Sequence, residues 1–429
     1  MMLTTRNHSA IAAAAVLLAL LSFAVPRSAG AGQALNAAYG DVANFRHPEI
    51  EAMSGTGAAL FRGGFSTVLN PAMLGDAAGW RLDAAGSLAQ DHEDRFQPLW
   101  DSFGSYITDT AIASNRSHDF DTGFALSGRA LPRLGVGAAL TTRYDFGYEF
   151  REEVRDPSTT ADPYDQILEE RSVVGGGSLR DLSLGTAWEP GPGVSLGATV
   201  HYVFGTRTLD FDRRDVQVPA ESELVSESHD ADGLNATLGV RACAGERFVF
   251  GAAWDTPLKV EGDWTTTTTL GAAAPAAAVE GVSVRYPGRL RAGLAYYPRS
   301  EPRTVFAADV VYTEWNELQD SRDAAAGAAL ENTMDVQIGV QHTFYNGMPL
   351  RFGFRHLDSY ADREAGTASF SAGVGFPYAA GMFSVSAELG KLSSRQAHWY
   401  SYPDGYAVAP TSRVEDNRFR VGAGLTYAF

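Results

Sequence analysis

The sequence of 429 residues ends in Arg418-Phe419-Arg420-Val421-Gly422-Ala423-Gly424-Leu425-Thr426-Tyr427-Ala428-Phe429, and this stretch decides the fold class. Every second residue from Phe419 onward is apolar, and the residues between are small or polar. Successive side chains of a β-strand point to opposite faces, so one face of this strand is apolar and the other hydrophilic. We expect Phe419, Val421, Leu425 and Tyr427 to face outward, toward lipid, and Arg418 and Arg420 to face inward.

The same alternation repeats from about Leu82 onward, for example over 194–204 and 383–389. Six short turns separate the repeats, at 131–133, 190–193, 245–247, 299–303, 346–349 and 378–381. Seven longer, polar connections alternate with the turns, at about 91–118, 147–178, 210–231, 265–280, 319–331, 358–366 and 392–414. Six turns and seven loops join fourteen strands.

Periodicity alone does not separate a soluble β-sandwich from a transmembrane barrel, since both alternate apolar and polar faces. The strict sorting of short and long connections favours the barrel, because outer-membrane barrels have short periplasmic turns and long extracellular loops. An even strand count places the N- and C-termini of the barrel on the periplasmic side. Aromatic girdles mark the membrane interfaces of such barrels. We assign to them the aromatic residues near predicted strand ends, Trp188, Trp254, Trp264, Trp315 and Tyr312.

The chain divides into three regions. Residues 1–31 read as a signal peptide, with an apolar run from Ala10 to Val25 and small residues at 29–31. Residues 32–77 do not follow the barrel pattern, and we expect a compact plug inside the lumen. Residues 78–429 form the predicted fourteen-stranded antiparallel transmembrane β-barrel, an all-β fold that locates the protein to the bacterial outer membrane.

Composition and motifs exclude several function classes. The net charge of −17 argues against a nucleic-acid partner, since phosphate binding needs clustered Lys and Arg. One cysteine, Cys243, excludes an intramolecular disulfide and a multi-Cys metal site. The nine histidines belong to no catalytic or metal motif, so we expect neither an enzyme nor a cofactor. The acidic loops follow no calcium-loop spacing, and a solvated surface explains them better than bridging cations.

Charged residues within the alternating stretches are expected to point inward, because a charge on the lipid face is costly. Two roles stay open for them: anchoring the N-terminal segment through charge-assisted hydrogen bonds, which we favour, or contacting a ligand carboxylate. The residues are Arg129, Arg289, Arg291, Arg351, Arg355, Asp309 and Glu388, with Arg241 beside them.

Several segments resemble FadL-type outer-membrane transporters of long-chain fatty acids. Residues 54–59 (SGTGAA) and 69–72 (LNPA) are similar to the family's N-terminal hatch. Residues 286–296, 309–315 and 350–375 resemble further family segments in the same order. The resemblance implies a fourteen-stranded barrel with an N-terminal hatch. It also implies diffusion of hydrophobic compounds, in some members through a lateral opening at a kinked third strand. The third strand here, about 134–148, has no proline and only Gly135, Gly137 and Gly147 to permit a kink.

Within the hatch, small residues permit close approach to the wall, and Asn70-Pro71 fixes a turn. The apolar side chains either line a ligand pocket or only pack the hatch against the barrel, and the sequence favours neither. The predicted ligand-binding residues are Leu60, Phe61, Phe65, Leu69, Asn70 and Pro71.

The sequence therefore predicts an outer-membrane channel for passive uptake of hydrophobic compounds such as long-chain fatty acids. A FadL-like scaffold or secretion-system partner without transport is the first alternative, and an outer-membrane enzyme is the second. The expected partners are outer-membrane lipids, lipopolysaccharide, the barrel-assembly machinery and a hydrophobic small-molecule ligand.

Overall fold

The structure of the protein is a computed structural model that describes residues 38–43, 47–61, 63–76, 79–100, 103, 105–156, 165–362, 365–401 and 411–429. The predicted signal peptide and residues 32–37, 44–46, 62 and 77 of the predicted plug lie outside the described residues. No helix among the described residues is long and apolar enough to cross a membrane.

Strands dominate the described chain. In chain order they are β1 (Asp41–Val42), β2 (Arg81–Trp100), β3 (Tyr106–Leu131), β4 (Leu134–Asp145), β5 (Tyr148–Arg155), β6 (Ile167–Gly191), β7 (Val194–Asp215), β8 (Glu223–Ala244), β9 (Phe248–Asp255), β10 (Leu258–Leu270), β11 (Ala276–Tyr286), β12 (Arg289–Tyr296), β13 (Thr304–Thr313), β14 (Gln319–Asp320), β15 (Thr333–Thr343), β16 (Pro349–Asp358), β17 (Gly366–Tyr378), β18 (Gly381–Ala397) and β19 (Thr411–Ala428).

These strands form a closed antiparallel barrel of fourteen wall positions, which confirms the predicted fold class. We call each wall position a stave, which consists of one continuous strand or of two strands separated by an interruption. The last strand closes the ring because β19 pairs with β2, from Ala428 opposite Arg81 onward. Four staves are interrupted and consist of two strands each: β4 with β5, β9 with β10, β11 with β12, and β13 with β14. Proline explains two interruptions, since Pro257 and Pro287 lack the N–H that a ladder needs. The interruption at Phe146-Gly147 in the third stave contains no proline.

The two faces of the barrel differ as the alternation predicts. On β7, Leu196, Val200 and Tyr202 are 41–59% exposed, whereas Ser195 and His201 are fully buried. On β19, Phe419 and Val421 are more than 40% exposed, whereas Arg420 is buried. An outward apolar face and an inward polar face are the arrangement of a membrane barrel. The predicted register of the last strand is therefore confirmed.

The predicted short turns all occur between strands, but the predicted long loops are too long. Strands β2 and β3 pair from Arg81–Ser127 to Trp100–Tyr106, so most of the predicted loop 91–118 is a hairpin. Strands β7 and β8 likewise extend through most of the predicted loop 210–231. These extensions lie beyond the apolar band. Since polar side chains occur there on both faces, the sequence loses its alternation while the ladder continues.

The N-terminal segment that the structure describes lies inside the barrel. It contains two short helices, α1 (Pro48–Glu51) and α2 (Ser66–Leu69), and a 3₁₀ helix at Pro71–Asp76. It occupies the end of the barrel that carries the short turns, called here the turn end. Its backbone approaches glycines of the wall closely: a Cβ on Gly251 would lie 2.0 Å from the carbonyl oxygen of Ala58. The opposite end carries the long hairpins and is called the hairpin end.

Candidate ligand path in the barrel interior

Inward-facing charges hold the N-terminal segment at its centre. One carboxylate oxygen of Asp309 accepts hydrogen bonds from the backbone N–H groups of Gly57 and Ala58, both at 2.8 Å. The guanidinium of Arg291 donates to the carbonyl oxygen of Leu69 at 2.7 Å. Charge-assisted bonds of this kind are stronger than neutral ones. Two predicted lumenal charges therefore fix both flanks of the segment that the sequence marks with SGTGAA and LNPA.

Other predicted lumenal charges contact the ends of the segment. Arg351 donates to Glu49 at 3.0 Å, and Arg129 donates to the carbonyl oxygen of Gly75 at 3.3 Å. Arg241 forms an ion pair with Asp76, 2.8 Å between nitrogen and oxygen. The predicted inward orientation thus brings these arginines onto the segment, although Arg129 lies at the rim and is largely exposed.

The remaining predicted charges, Arg289, Arg355 and Glu388, line a small polar cavity of about 80 Å³. Arg355 and Glu388 form a buried ion pair there. Trp315 and Tyr360 complete the lining, so the cavity joins polar and aromatic surface. Contact of these arginines with a ligand carboxylate stays a prediction.

The predicted ligand-binding residues of the segment fall into two groups. Phe61, Phe65 and Leu69 are at least 96% buried and pack together with Ala125 and Ala139 of the wall. Leu60 packs in a separate cluster with Val249, Ala295 and Val305. The contacts described are those of a filled core, and a ligand-lining role for these side chains stays a prediction.

The side chain of Asn70, in the LNPA element, forms three hydrogen bonds. Its amide nitrogen donates to the carbonyl oxygens of Ala58, at 2.7 Å, and Val240, at 3.1 Å. Its amide oxygen accepts from the N–H of Ala72 at 3.1 Å, and Pro71 starts the 3₁₀ helix between them. Asn70 therefore ties two parts of the segment to each other and to the wall.

His47 precedes α1 and lies buried between the rings of Phe61 and Phe65, with centroid distances of 5.7 and 5.4 Å. Burial lowers the pKa of His47 from 6.5 to about 4, because the charged imidazolium would lose its solvation. The stabilisation from neutral His47 is therefore present above pH 6.5 and declines as the pH falls from 6.5 toward 4. Burial opposes the ionisation of Glu49, but Arg351 and Arg81 lower its pKa to about 2.

The backbone hydrogen-bond ladder of the wall is interrupted beside the third stave. Strands β3 and β4 pair from Leu131–Leu134 only as far as Phe124–Leu140. Beyond that point β4 and β5 continue along β6, whereas β3 continues along β2. The described backbone therefore leaves a gap in the barrel wall between β3 and the third stave. The family resemblance implied a lateral opening at the third strand in some members, but the residues of this strand did not themselves predict the gap, because no proline marks it.

The first described strand of the chain covers this gap from within. Asp41 and Val42 of β1 pair with Asp145 and Tyr144, whose other edge pairs with β6. Strand β1 therefore takes the edge of β4 that β3 has left. Gly40 permits this approach, since its φ is +84° and a Cβ would lie 2.9 Å from the ring of Phe146.

A group of buried aromatic residues lies directly behind the gap, and we call it the aromatic cluster. Tyr144 stacks on Tyr286 with a centroid distance of 4.2 Å, and Trp315 stacks on Tyr360 at 4.1 Å. Tyr286 contacts Trp315 edge-on at 6.5 Å, which joins the two stacks. Two further members surround the stacks, so that the cluster consists of Tyr144, Phe146, Trp264, Tyr286, Trp315 and Tyr360.

The cluster corrects one sequence prediction. Trp264 and Trp315 were assigned to the outer aromatic girdle, but they are 3% and 2% exposed and face inward. Trp188, Trp254 and Tyr312 are exposed as predicted. Proximity to a strand end does not reveal which face a residue occupies, and strand interruptions nearby shift the alternation. The face assignment of 258–264 from the alternation of Leu258 and Val260 would have placed Trp264 inside.

A fully buried polar network lies next to the N-terminal segment. His201 contacts Asp181 at 2.9 Å and Ser183 at 2.9 Å through Nδ1, and Thr237 at 2.7 Å through Nε2. Thr237 donates in turn to Asp255 at 2.6 Å. The side chains of His201, Ser183 and Thr237 are fully buried. Since each polar atom of the imidazole bonds within the wall, the network stabilises the barrel interior.

Residues 397–401 cross the lumen at the hairpin end. The indole N–H of Trp399 donates to the hydroxyl of Tyr148 at 3.0 Å, and the hydroxyl of Tyr400 donates to the carbonyl oxygen of Ser172 at 2.6 Å. Both rings pack in an apolar cluster with Phe150 and Val173. This segment therefore narrows the hairpin-end mouth above the aromatic cluster.

At the turn end, a cleft of about 520 Å³ lies beside the barrel closure. Met73, Leu74, Trp80 and Phe429 give it a mostly apolar lining. It adjoins the N-terminal segment. Among the described residues, no group of three or more His, Cys, Asp and Glu side chains is placed to hold a metal ion.

No protein-family model and no curated protein sequence matches this chain. Solved structures do. A Pseudomonas aeruginosa FadL homologue is 13% identical with a TM-score of 0.65, over 91% of this chain and 100% of that chain. The CymD monoaromatic hydrocarbon channel is 14% identical with a TM-score of 0.61, over 90% and 97%. The Pseudomonas putida toluene transporter TodX is 16% identical with a TM-score of 0.61, over 91% and 98%.

Structural matches at such low sequence identity establish the fold alone. The matched fold agrees with the strand count and with the resemblance in the sequence. The chain therefore has the fourteen-stranded barrel fold of the FadL-type channels.

Proposed function

We propose that this protein is an outer-membrane channel for passive uptake of hydrophobic compounds, which leave it sideways into the membrane. One observation carries the proposal: a buried aromatic cluster lies directly behind the gap between β3 and the third stave. A hydrophobic solute held by aromatic rings at that place can enter the lipid without crossing the rest of the lumen. Among the described residues, β1 lies between the two.

The orientation in the membrane follows from the outward surface. Exposed apolar side chains on neighbouring strands form a band, and the long hairpins extend beyond it on one side. Outer-membrane barrels carry their long connections outside the cell. We infer that the hairpin end is extracellular and that the turn end, with the C-terminus, is periplasmic.

The N-terminal segment is proposed as the plug of the lumen. An unobstructed barrel of fourteen strands would hold a water channel. The bonds of Asp309, Arg291 and Arg351 to the segment, together with the core around Phe65, support a role in closing it. A closed lumen suits sideways release, because water-soluble molecules stay excluded while hydrophobic ones escape to the lipid.

The aromatic cluster favours compact aromatic compounds as ligands. Aromatic rings attract one another in stacked and edge-on geometries, and the cluster contains both. The TodX and CymD proteins are described as a toluene transporter and a monoaromatic hydrocarbon channel, which agrees in kind. Long-chain fatty acids, as predicted from the sequence, remain the second ligand class.

A scaffold without transport is supported by one observation. In the two stacked pairs of the aromatic cluster, the ring centroids lie 4.1–4.2 Å apart. The protein's own side chains therefore fill the place where a ligand would bind. A channel must therefore separate these rings when a ligand enters. Ligand binding distinguishes the two functions, because a scaffold has no reason to bind one.

Uptake of [¹⁴C]toluene and [¹⁴C]oleate by cells that lack other such channels tests the proposal. We expect cells with this protein to take up at least one probe faster than cells with an empty vector. A second variant tests the exit: Asp41→Cys with Asp145→Cys, in a Cys243→Ser background, places a disulfide between cross-strand partners of β1 and β4. Oxidation is expected to stop uptake and a reductant to restore it, whereas Asp41→Cys alone should respond to neither. Uptake equal to the empty vector would contradict transport, and uptake that is insensitive to the disulfide would contradict sideways release.

A further inference from the structure

The β-ladder between β3 and β4 ends at the margin of the wall gap that lies nearer the turn end. The last paired residues are Phe124 and Leu140, and the next residues of β3 have no ladder partner in the third stave. Backbone groups without partners are costly where lipid surrounds them. The end of a strand pair is also the place where it frays. Something must satisfy the backbone there, or the separation of the strands would spread toward the turn end.

Three side chains take over where the ladder stops. The hydroxyl of Thr142 on β4 donates to the carboxylate of Asp121 on β3 at 2.6 Å. Arg180 of β6 donates to the backbone carbonyl oxygen of Thr122 at 3.3 Å. The same guanidinium lies 3.4 Å from the Thr142 hydroxyl and 3.8 Å from the Asp121 carboxylate. We call Asp121, Thr142 and Arg180 the latch.

The positively charged member of the latch, Arg180, is unusual at its position. Arg180 occupies an outward position of β6, where Leu182 and Leu184 are exposed to the lipid side. A charge in such surroundings needs a partner, and Asp121 supplies it. Thr122 would otherwise present an unpaired carbonyl in the gap. The latch therefore joins three neighbouring strands at the height where the wall divides.

The latch encloses little space. The cavity beside it measures about 10 Å³, which is room for about one water molecule. Residues on both margins line it, among them Ala43 next to β1, Gly86 on β2 and Thr141 on β4. With the latch closed, the cavity at this level has no room for a hydrophobic solute.

We propose that the latch sets the width of the lateral gap, so that Asp121, Thr142 and Arg180 determine how large a hydrophobic compound the wall releases. This inference rests on the proposed sideways release. Opening the latch needs only rotations of side chains, which are fast, whereas widening the gap further requires breaking backbone pairs of β3 with β4. The latch thus separates a narrow, readily opened aperture from a wider one.

Replacing Thr142 with valine tests the latch, because valine has the same shape and lacks the hydroxyl. The matched control is Thr186→Val: Thr186 also donates across the pair of β6 and β4, to the carbonyl oxygen of Gly135 at 3.1 Å, but where the ladder is intact. Loss of one hydrogen bond corresponds to about a fivefold change in an equilibrium. We expect Thr142→Val to raise the uptake rate of [¹⁴C]oleate relative to [¹⁴C]toluene about fivefold, and Thr186→Val to leave the ratio within twofold.

Two further measurements keep the outcomes distinct. Amide exchange of 122–126 and 138–141 should become faster in Thr142→Val and stay unchanged in Thr186→Val. A disulfide between Asp121→Cys and Thr142→Cys, in the Cys243→Ser background, should lower the oleate-to-toluene ratio when oxidised and restore it when reduced. An unchanged ratio in a folded Thr142→Val barrel that still takes up toluene overturns the latch and leaves the channel intact. A wild-type protein that takes up neither probe overturns the proposed function, and the size selection with it.

Discussion

Asp309→Ala is expected to release the N-terminal segment while the barrel stays folded. The Asp309 carboxylate accepts two backbone hydrogen bonds, from Gly57 and Ala58, and both partners are buried. A hydrogen bond to a charged group contributes about 1.5–3 kcal/mol, and truncation leaves both N–H groups without an acceptor. The docking free energy should therefore fall by about 3–6 kcal/mol, which lowers the docking equilibrium constant by about 10²–10⁴-fold. Asp309→Asn keeps the shape and loses the charge, so it should cost about half as much.

Conductance across planar bilayers measures this effect directly. Wild-type protein should show rare openings, Asp309→Asn more frequent ones, and Asp309→Ala a persistent ion current. Asp263→Asn is the matched control, because it removes an exposed carboxylate on the outward face of β10. Heat-modifiable migration on a gel verifies that each barrel is folded. A folded Asp309→Ala barrel with wild-type conductance would refute the argument that this carboxylate holds a plug.

Three further predictions concern the segment and the aromatic cluster. Protonation of His47 should weaken the docking of the segment by about 2 kcal/mol between pH 7 and pH 5, since its pKa is about 4 when buried and 6.5 when free. The protection factors of amides in 47–76, which correct for the pH dependence of intrinsic exchange, should fall in wild type but not in His47→Gln, and an equal fall in both would refute it. Phe65→Ala should leave a cavity that costs about 3–5 kcal/mol and raise the conductance; unchanged conductance with weaker ligand binding would instead assign Phe65 to a ligand pocket. Tyr286→Ala removes one partner of both aromatic contacts, so the Kd for toluene should rise about three- to tenfold by fluorescence titration. An unchanged Kd, as expected for the outward Tyr296→Ala control, would contradict binding at the cluster.

Much of the barrel could be predicted from the sequence, because lipid requires an apolar outward face on every strand. The alternation of Phe419 and Val421 with Arg420 fixed their faces, and the short turns fixed the count of strands. The polar hairpin extensions of β2, β3, β7 and β8 could not be predicted in the same way. Above the apolar band polar side chains occupy both faces: Asp91 and Glu93 of β2 are buried inward, whereas His92 lies on the other face. The sequence therefore shows no apolar–polar alternation there, although the ladder continues.

The candidate site depended on contacts between residues far apart in the chain. The inward charges Asp309 and Arg291 could be predicted to anchor the N-terminal segment, but not to which of its atoms they bond. The gap beside β4 lacks a proline signal; instead, β1 pairs with an edge just over a hundred residues further along the chain, Asp41 with Asp145. Trp264 and Trp315 were misassigned because nearness to a predicted strand end does not show which face a residue occupies: Trp264 lies on the inward face of β10, and Trp315 lies in a 3₁₀ turn after β13.

The central claim is that a hydrophobic compound moves from the aromatic cluster through the gap beside β4. A crystal structure after soaking with bromobenzene, read through the anomalous signal of bromine, tests it most directly. We predict bromine between Tyr144 and Tyr286 and a second position in the gap near Thr142. Bromine in the turn-end cleft of about 520 Å³ beside Met73 and Leu74, with none in the gap, would show release through the lumen and contradict the claim.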